Sequence, residues 1–149
     1  MDAMTNLDRH EAPLTAEQVQ KLWSAALAAQ SKAYAPYSQY QVGVALLDEN
    51  GGIHSGCNVE NAAYPQGWCA EASALSAMVM NGARRLRGAL VVGSGGTWIT
   101  PCGGCRQKLR EFAGPDTPIY SANAQALGPV HTLGQLLPHS FGPDHLDSP

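Results

Sequence analysis

Apolar residues recur at helical spacing in three long segments of the chain, and a shorter segment of the same kind follows near its end. The first segment opens with Thr15 and Gln18, which form a capping box. Pro36 follows this segment and stops a helix, because the residue before a proline disfavours helical geometry. Gly82 lies where the second segment would need a C-terminal cap. The predicted helices are residues 16–33, 69–80, 102–112 and 133–137.

Short apolar runs rich in strand-forming residues lie between the predicted helices. The pair Asn50-Gly51 is a strong signal for a tight turn, so the runs on either side of it should form a hairpin. A hairpin followed by strands that alternate with helices predicts an α/β protein, in which helices pack on a mixed sheet. The predicted strands are residues 42–47, 53–58, 89–93, 119–121 and 130–132.

The length of 149 residues corresponds to one domain. We expect a single folded unit over residues 14–141, between a loose N-terminal arm at 1–13 and a C-terminal tail at 142–149. No apolar run approaches the roughly 18 residues that a membrane span needs, so no membrane partner is expected. The first residues lack the apolar core of a signal peptide, which favours a cytoplasmic location.

The charge balance argues against one class of partner. Nine basic and twelve acidic residues give a formal net charge of −3, whereas nucleic-acid binders carry a basic surface. We therefore expect no nucleic-acid partner. Charged residues make up 14% of the chain, against about 25% in typical soluble domains, which favours self-association. The basic residues of the third helix, Arg106, Lys108 and Arg110, are expected to face solvent or a subunit interface.

Four cysteines, at positions 57, 69, 102 and 105, indicate metal binding or catalysis if the compartment is reducing. Cys102 and Cys105 are three residues apart at a predicted helix start, so both thiols should lie on one side of its first turn. Cys69 stands at another predicted helix start. The partial positive charge of a helix N-terminus lowers the pKa of a thiol. Three thiolates brought together would suit zinc, which favours sulfur ligands in tetrahedral geometry.

Glu71 distinguishes a catalytic zinc site from a structural one. Three protein ligands leave one coordination position open, whereas a closed structural site has four. Glu71 follows Cys69 by two residues, and helical residues at that spacing do not face each other, so Glu71 should not bind the same metal. It could instead reach a water on the metal and act as a general acid and base.

These residues belong to a longer pattern that resembles the small zinc-dependent cytidine deaminases. The zinc deaminases of nucleobases share a Cys or His before x-Glu and a later Pro-Cys-x-x-Cys. The match extends over most of the chain, from about residue 33 to residue 141. The segments that carry it are Ala35-Pro36-Tyr37-Ser38, Val42-Gly43, Gly56-Cys57-Asn58-Val59-Glu60-Asn61-Ala62, Cys69-Ala70-Glu71, Pro101-Cys102-Gly103-Gly104-Cys105-Arg106-Gln107 and Leu136-Leu137-Pro138 with Phe141.

The resemblance implies a role for each matching residue. Cys69, Cys102 and Cys105 would bind one zinc ion per subunit, and Glu71 would be the proton shuttle. Asn58 and Glu60 would grip the ribose hydroxyls, since an amide and a carboxylate can donate to and accept from a diol. The further residues that the resemblance implies are Tyr40, in the nucleoside pocket, and Phe141, which would present its ring to a neighbouring subunit.

The family fold and assembly follow from the same resemblance. It implies a three-layer α/β/α fold with a five-stranded mixed sheet, assembled as a homotetramer with active sites near subunit interfaces. It also implies hydrolysis of free cytidine and deoxycytidine to uridine and deoxyuridine with release of ammonia, in pyrimidine salvage. In the hypothesised mechanism, zinc-activated hydroxide attacks C4 of the base while Glu71 moves the protons.

Two positions depart from the family pattern. Many members have an arginine directly after Cys-Ala-Glu that donates to the thiolates, and here the residue is Ala72. Three thiolates and one zinc ion sum to −1, so a bound water should be less acidic unless another group compensates. Tyr40 stands where the family usually has a phenylalanine, which adds a hydroxyl near the pocket.

Three other interpretations of these residues stay open. Cys102 and Cys105 alone could be a redox pair, although that leaves Cys69 and Glu71 without a role. Cys57 could be a fourth ligand in a non-enzymatic structural zinc module. The substrate could be another cytosine-bearing compound such as blasticidin S, which Asn58 and the nearby Glu60 disfavour.

The five histidines, none at ligand spacing to another candidate, are interpreted as surface or loop residues.

Overall fold

The computed structural model of the protein describes residues 13–146. Residues 1–12 of the predicted arm and 147–149 of the predicted tail lie outside this range. The helices are α1 (Ala16–Gln30), α2 (Ala70–Met80), α3 (Gly103–Arg110) and α4 (Leu133–Leu136). The strands are β1 (Val42–Asp48), β2 (Ile53–Cys57), β3 (Leu86–Gly93), β4 (Pro118–Ala122) and β5 (Leu127–Thr132). Short 3-10 turns lie at Tyr64–Gln66 and Pro143–His145.

The predicted elements are confirmed, with shifts at some ends. Helix α1 stops at Gln30, before the predicted residue 33, because the N–H groups of Lys32 and Ala33 bond three residues back and tighten the chain into a turn. Strand β3 begins three residues before the prediction, since Leu86 pairs with Asp48 across the sheet. Strand β5 also begins early, because Leu127 pairs with the end of β4. Pairing partners distant in sequence set these ends.

The five strands form one mixed sheet in the order β2-β1-β3-β4-β5. The β3–β4 pair is parallel and the other three pairs are antiparallel. Helix α1 packs on one face with Leu22, Ala45 and Leu90 in its core. Helices α2 and α3 pack on the other face around Met78 and Leu109. The predicted three-layer α/β/α architecture is therefore confirmed.

The register of the sheet brings two distant parts of the chain to one edge. Cys57, the last residue of β2, pairs with Gly43 at the start of β1. Gly93, the last residue of β3, pairs with Val42 on the other side of the same strand. The segments that follow β2 and β3 therefore leave the sheet at the same end, on either side of β1. These segments lead into α2 and α3.

A glycine in β2 lets α2 lie close against the sheet. A Cβ atom on Gly56 would meet the carbonyl oxygen of Ala70 at 2.7 Å and the Cβ of Ser73 at 2.7 Å, both on the first turn of α2. Ser73 Oγ also donates to the Cys57 carbonyl at 3.0 Å. The start of α2 is thus held directly on the end of β2.

Asp144, in the predicted tail, and His54, a predicted surface or loop residue, both form ion pairs within the fold. Within the predicted tail, Asp144 pairs with Arg110 of α3 at 2.7 Å. His54 of β2 is not the surface or loop residue that was expected. Its Nε2 lies 2.7 Å from Oδ2 of Asp48, and both side chains are largely buried. The period-two pattern of a strand could not reveal this pairing, because it depends on the turn between β1 and β2.

Candidate active site

Three cysteine thiols converge where α2 and α3 begin. Cys69 is the N-cap residue of α2 and Cys102 is the N-cap residue of α3. Cys105 is buried in the first turn of α3. The three Sγ atoms all lie within 4.8 Å of one another. The predicted cluster is therefore assembled by the fold.

The donor set of this cluster fits one zinc ion per chain. Zinc binds thiolate sulfur at about 2.3 Å, so two sulfurs on a tetrahedral ion lie about 3.8 Å apart. The three sulfurs, all within 4.8 Å of one another, are near enough to share one such ion. Within residues 13–146, the group of metal-ligating side chains found here contains neither Cys57 nor Glu71. Cys57 is instead a half-buried residue at the end of β2.

The helix ends and the burial of the site act on the thiols in opposite directions. Hydrogen bonds from the backbone N–H groups of Cys105 and Gly104 lower the pKa of Cys102. Burial raises the pKa of Cys69, and the nearby Cys102 and Glu71 raise it further. Burial also raises the pKa of Cys105. A divalent cation would offset this mutual repulsion, because metal coordination favours the deprotonated thiol.

Glu71 lies beside the thiols in the first turn of α2. The residue is only 6% exposed. Burial raises the pKa of its carboxyl group, and the backbone N–H of Glu71 counteracts part of that shift. A carboxyl group with a raised pKa is a better proton acceptor, which favours general acid–base work. This is the environment that a proton shuttle needs.

Arg106 secures the cysteine-bearing loop in a way that sequence analysis missed. Its Nε donates to the Pro101 carbonyl at 2.7 Å, and its Nη2 donates to Thr100 Oγ1 at 2.9 Å. Its Nη1 donates to the Leu136 carbonyl at 2.8 Å. Arg106 therefore does not simply face solvent. The Leu136 partner lies 30 residues away in sequence, so no local pattern could indicate it.

A cavity of about 570 Å³ opens beside Cys69. This volume is in the range of small-molecule sites. The cavity lining contains the predicted substrate residues Asn58 and Glu60. The rest of the lining is Tyr37, Ser38, Val59, Asn61, Tyr64, Gly67, Trp68 and Cys69. Its three aromatic side chains were not predicted, since they lie in loops where periodicity carries no signal.

Glu60 and Asn58 are both held by backbone hydrogen bonds. Glu60 Oε1 accepts from the N–H groups of Tyr37 at 2.9 Å and Ser38 at 3.1 Å. Hydrogen bonds from Ser38 lower the pKa of Glu60, so its carboxylate is ionised at neutral pH. Asn58 Oδ1 accepts from Val42 N–H at 2.8 Å, and its Nδ2 donates to the Tyr40 carbonyl at 2.9 Å. Asn58 thus fastens the start of β1 to the cavity wall.

The other two predicted substrate residues lie elsewhere. Tyr40 is not among the lining residues of this cavity; its hydroxyl lies near Gly93 and Gly95, at the end of β3. Phe141 is 57% exposed and stacks on His145, with ring centroids 5.2 Å apart. The Phe141 carbonyl accepts from Gln107 of α3 at 3.0 Å. Any role of either ring toward a substrate stays a prediction.

Comparison with known proteins agrees with this geometry. Residues 16–121 match the family model described as the cytidine and deoxycytidylate deaminase zinc-binding region. A cytidine deaminase of Sporosarcina psychrophila is 39% identical over 128 residues, which cover 86% of this chain and 94% of that protein. One from Mycobacterium tuberculosis H37Rv is 40% identical over 116 residues, covering 76% of this chain and 82% of the relative.

Solved structures show the same similarity. The crystal structure of cytidine deaminase from Burkholderia pseudomallei is 41% identical with a TM-score of 0.78, covering 86% of this chain and 100% of that one. The structure from Mycobacterium tuberculosis is 37% identical with a TM-score of 0.73, covering 83% of this chain and 97% of the other.

Among the described residues, no helix has the length and apolarity needed to cross a membrane.

Proposed function

Because the chain belongs to the cytidine and deoxycytidylate deaminase family, we propose that it hydrolyses free cytidine and deoxycytidine. The reaction adds water and releases ammonia, leaving uridine or deoxyuridine, and it would serve pyrimidine salvage. The observation that carries the proposal is the cluster of three thiols beside the buried Glu71. We further propose that residues 14–141 form the catalytic unit.

Cys69, Cys102 and Cys105 would hold the zinc ion. Zinc in such a site lowers the pKa of a bound water to about 7 and so supplies the nucleophile for attack at C4 of the base. Three protein ligands leave one position open for that water. The two helix N-termini offer partial compensation for the negative charge of the thiolates.

Glu71 would carry the protons of the reaction. Its carboxylate takes a proton from the attacking water and passes it to ring N3 of cytosine. The same group would then take the second proton from the hydroxyl oxygen now on C4 and pass it to the amine, so that ammonia leaves and the C4 carbonyl forms. Burial of Glu71 supports this role, because a raised carboxyl pKa lowers the cost of holding the proton between the two transfers.

The cavity would hold the nucleoside with its base toward Cys69. Glu60 uses Oε1 for the backbone of Tyr37 and Ser38, so its charged group is fixed in place before a substrate arrives. Its other carboxylate oxygen would accept a ribose hydroxyl. Asn58 would hold the cavity wall in place, and its side-chain amide could form further hydrogen bonds with the sugar. The ring of Trp68 would supply apolar contact.

We propose a homotetramer in the cytoplasm, with active sites near subunit interfaces. Trp68, which lies directly beside Cys69, is 51% exposed, and Met80 at the end of α2 is 86% exposed. Phe141 lies on the outer side of α3, where it could reach a neighbouring subunit. Trp68 and Met80 line one groove, and a contiguous exposed apolar surface commonly marks a protein interface. All four cysteines are free thiols, which suits a reducing compartment.

The test is ammonia release from cytidine by the purified protein, with and without a chelator. We expect turnover that the chelator abolishes and added zinc restores. Deoxycytidine and blasticidin S are assayed in parallel. Turnover of blasticidin S alone would replace the proposed substrate, and Glu60 argues against it because that carboxylate suits a ribose diol. Zinc binding with no turnover of any cytosine compound would instead indicate a structural zinc module.

A further inference from the structure

The three thiolates would keep a net negative charge after binding one divalent cation. Three thiolates with one divalent cation sum to −1, and the carboxyl group of Glu71 lies beside them. Helix α2 contains no lysine or arginine, and Ala72 follows Glu71. Helix α3 contains three basic residues, of which Arg106 is engaged with Pro101, Thr100 and Leu136. Any compensating side chain on these two helices must therefore come from the rest of α3.

Lys108 is the basic residue of α3 that lies toward the cluster. It follows Cys105 by three residues, so the two share a helix face. Lys108 Nζ lies 3.9 Å from the point where a Cβ on Gly104 would stand. The side chain therefore runs back along the helix toward the N-terminal turn that carries the thiols, the direction in which long helical side chains point.

The stem of Lys108 has apolar surroundings that guide it. It lines a groove of about 560 Å³ between α2 and α3, together with Trp68, Ala72 and Phe112. Lysine side chains cover apolar surface with their methylene groups while the ammonium remains in water. Ala72 is small, so it leaves room for the stem between the helices. Burial raises the pKa values of Cys69 and Glu71, and Lys108 lies near enough for its charge to offset a small part of that rise.

No carboxylate within residues 13–146 forms an ion pair with this ammonium group. The ion pairs of this range leave Lys108 without a carboxylate within 4.0 Å. Glu111 follows it by three residues and lines the same groove, yet makes no ion pair with it. Arg110, by contrast, is paired with Asp144. Lys108 is thus free to direct its charge at the thiol cluster.

We propose that Lys108 is an electrostatic positioning residue, which stabilises the zinc-bound thiolates and supplies the positive charge that no residue of α2 provides. This inference rests on the proposed zinc-dependent function. Lys108 does not touch the reacting atoms in this scheme. It acts through the sulfur ligands, so its first effect is on metal affinity.

The experiment measures zinc affinity of the metal-free protein by competition with a chromophoric chelator. K108M and K108Q remove the charge with different side chains, and K108R keeps the charge. K21M is the matched control, since Lys21 lies on α1, across the sheet from the cluster, and its surface pair with Glu17 contributes little. Circular dichroism and the melting temperature of each metal-free variant verify that it is folded.

We expect K108M and K108Q to weaken zinc binding about tenfold at low salt, with K108R and K21M staying within about twofold of the unsubstituted chain. The difference between K108M and the unsubstituted chain should shrink at high salt, because partly exposed charges are screened. Equal zinc affinity of K108M and the unsubstituted chain would overturn the inference alone. Equal loss in K108M and K108R, or an equal loss in K21M, would also overturn it. Failure of the unsubstituted chain to bind zinc would overturn the proposed function as well.

Discussion

Glu60 Oε1 accepts a hydrogen bond from the backbone N–H of Tyr37 at 2.9 Å. This bond crosses 23 residues of sequence and joins the loop before β1 to the loop after β2. It fixes an ionised carboxylate in the wall of the cavity beside Cys69. Because this carboxylate is oriented before a substrate binds, less entropy is lost on binding.

We expect E60Q to lower kcat/KM for cytidine by about 10–100-fold, since a hydrogen bond to a charged group contributes about 1.5–3 kcal/mol. Glutamine keeps the acceptor for Tyr37 N–H and removes the charge. The measurement compares cytidine with its 2′-deoxy and 3′-deoxy analogues on both proteins. E60Q should lower kcat/KM by a smaller factor for the analogue that lacks the hydroxyl bound by Glu60. An equal penalty for all three substrates would remove the proposed sugar contact.

For the proton shuttle, the informative variant is E71Q. The amide is nearly isosteric with the buried carboxyl group but cannot accept the proton from water. We expect kcat to fall by at least about 10²–10⁴-fold while zinc content stays at one ion per chain. Turnover is followed by ammonia release and zinc content by atomic absorption. Loss of zinc in E71Q would show that Glu71 supports the metal rather than the chemistry.

The ligand assignment is tested by two serine substitutions of buried or half-buried cysteines. C105S removes one sulfur of the cluster, and C57S alters a cysteine outside it. We expect C105S to lose zinc affinity by more than the roughly 10–100-fold that loss of a supporting partner costs. C57S should retain its zinc and its turnover. Zinc loss in C57S with retention in C105S would contradict the assignment and favour a different sulfur set.

The pair formed by Asp48 and His54 predicts a pH-dependent contribution to stability. Burial by itself raises the pKa of Asp48, but hydrogen bonds from His54 and from the Gly52 and Asn50 N–H groups bring it below its usual value. A carboxyl group with a depressed folded-state pKa stabilises the fold above its unfolded pKa near 4, and this contribution is lost as the pH falls through the folded value.

We therefore expect D48N to lower the free energy of unfolding by about 1–3 kcal/mol at pH 7. The difference in the free energy of unfolding between D48N and the unsubstituted chain should become smaller as the pH is lowered from 5 toward about 3. Urea unfolding monitored at several pH values measures it. H54N, which keeps a polar side chain at the partner position, serves as the matched variant. A difference that stays constant across this range would exclude the charge of Asp48 as its source.

Phe141 provides a test of the proposed assembly. F141A removes an aromatic ring that is 57% exposed. If this ring is buried against a neighbouring subunit, its loss costs about 1.5–3 kcal/mol at each contact. On dilution, the F141A tetramer should therefore begin to dissociate at a higher protein concentration than the unsubstituted tetramer does. Sedimentation velocity over a dilution series measures this shift. L146A is the control, because Leu146 is 75% exposed and has no proposed role. Identical dissociation of F141A and the unsubstituted chain would contradict the proposed contact.

Local patterns predicted much of the fold and the centre of the site. Thr15 and Gln18 form the predicted capping box, with the hydrogen bonds reciprocal at 2.9 and 3.1 Å. Cys69 and Cys102 lie at helix starts as their spacing indicated, since N-cap positions depend on the few residues around them. These features involve neighbours within one helical turn, and short-range spacing is what a single sequence displays.

Contacts between distant residues escaped prediction for the opposite reason. Arg106 was expected at solvent or an interface, and its partner Leu136 belongs to another helix. Tyr37, Tyr64 and Trp68 meet around the cavity from two separate loops. The hydroxyl of Tyr40 faces the end of β3. Each of these arrangements depends on how the loops fold back over the sheet edge, and loop residues carry no periodic signal.

The amino-acid order by itself determined the kinds of chemistry available: three soft thiols, one carboxyl group two residues from a cysteine, and helices that begin at those thiols. Tertiary structure alone decided that these groups meet. The antiparallel pairing of β1 with β2 and β3 brings Cys57 and Gly93 to one edge, so the two cysteine-bearing segments emerge together. Burial of Glu71 against this cluster is likewise a tertiary effect, because the pKa of a carboxyl group depends on the solvent and charges around it rather than on its neighbours in the chain.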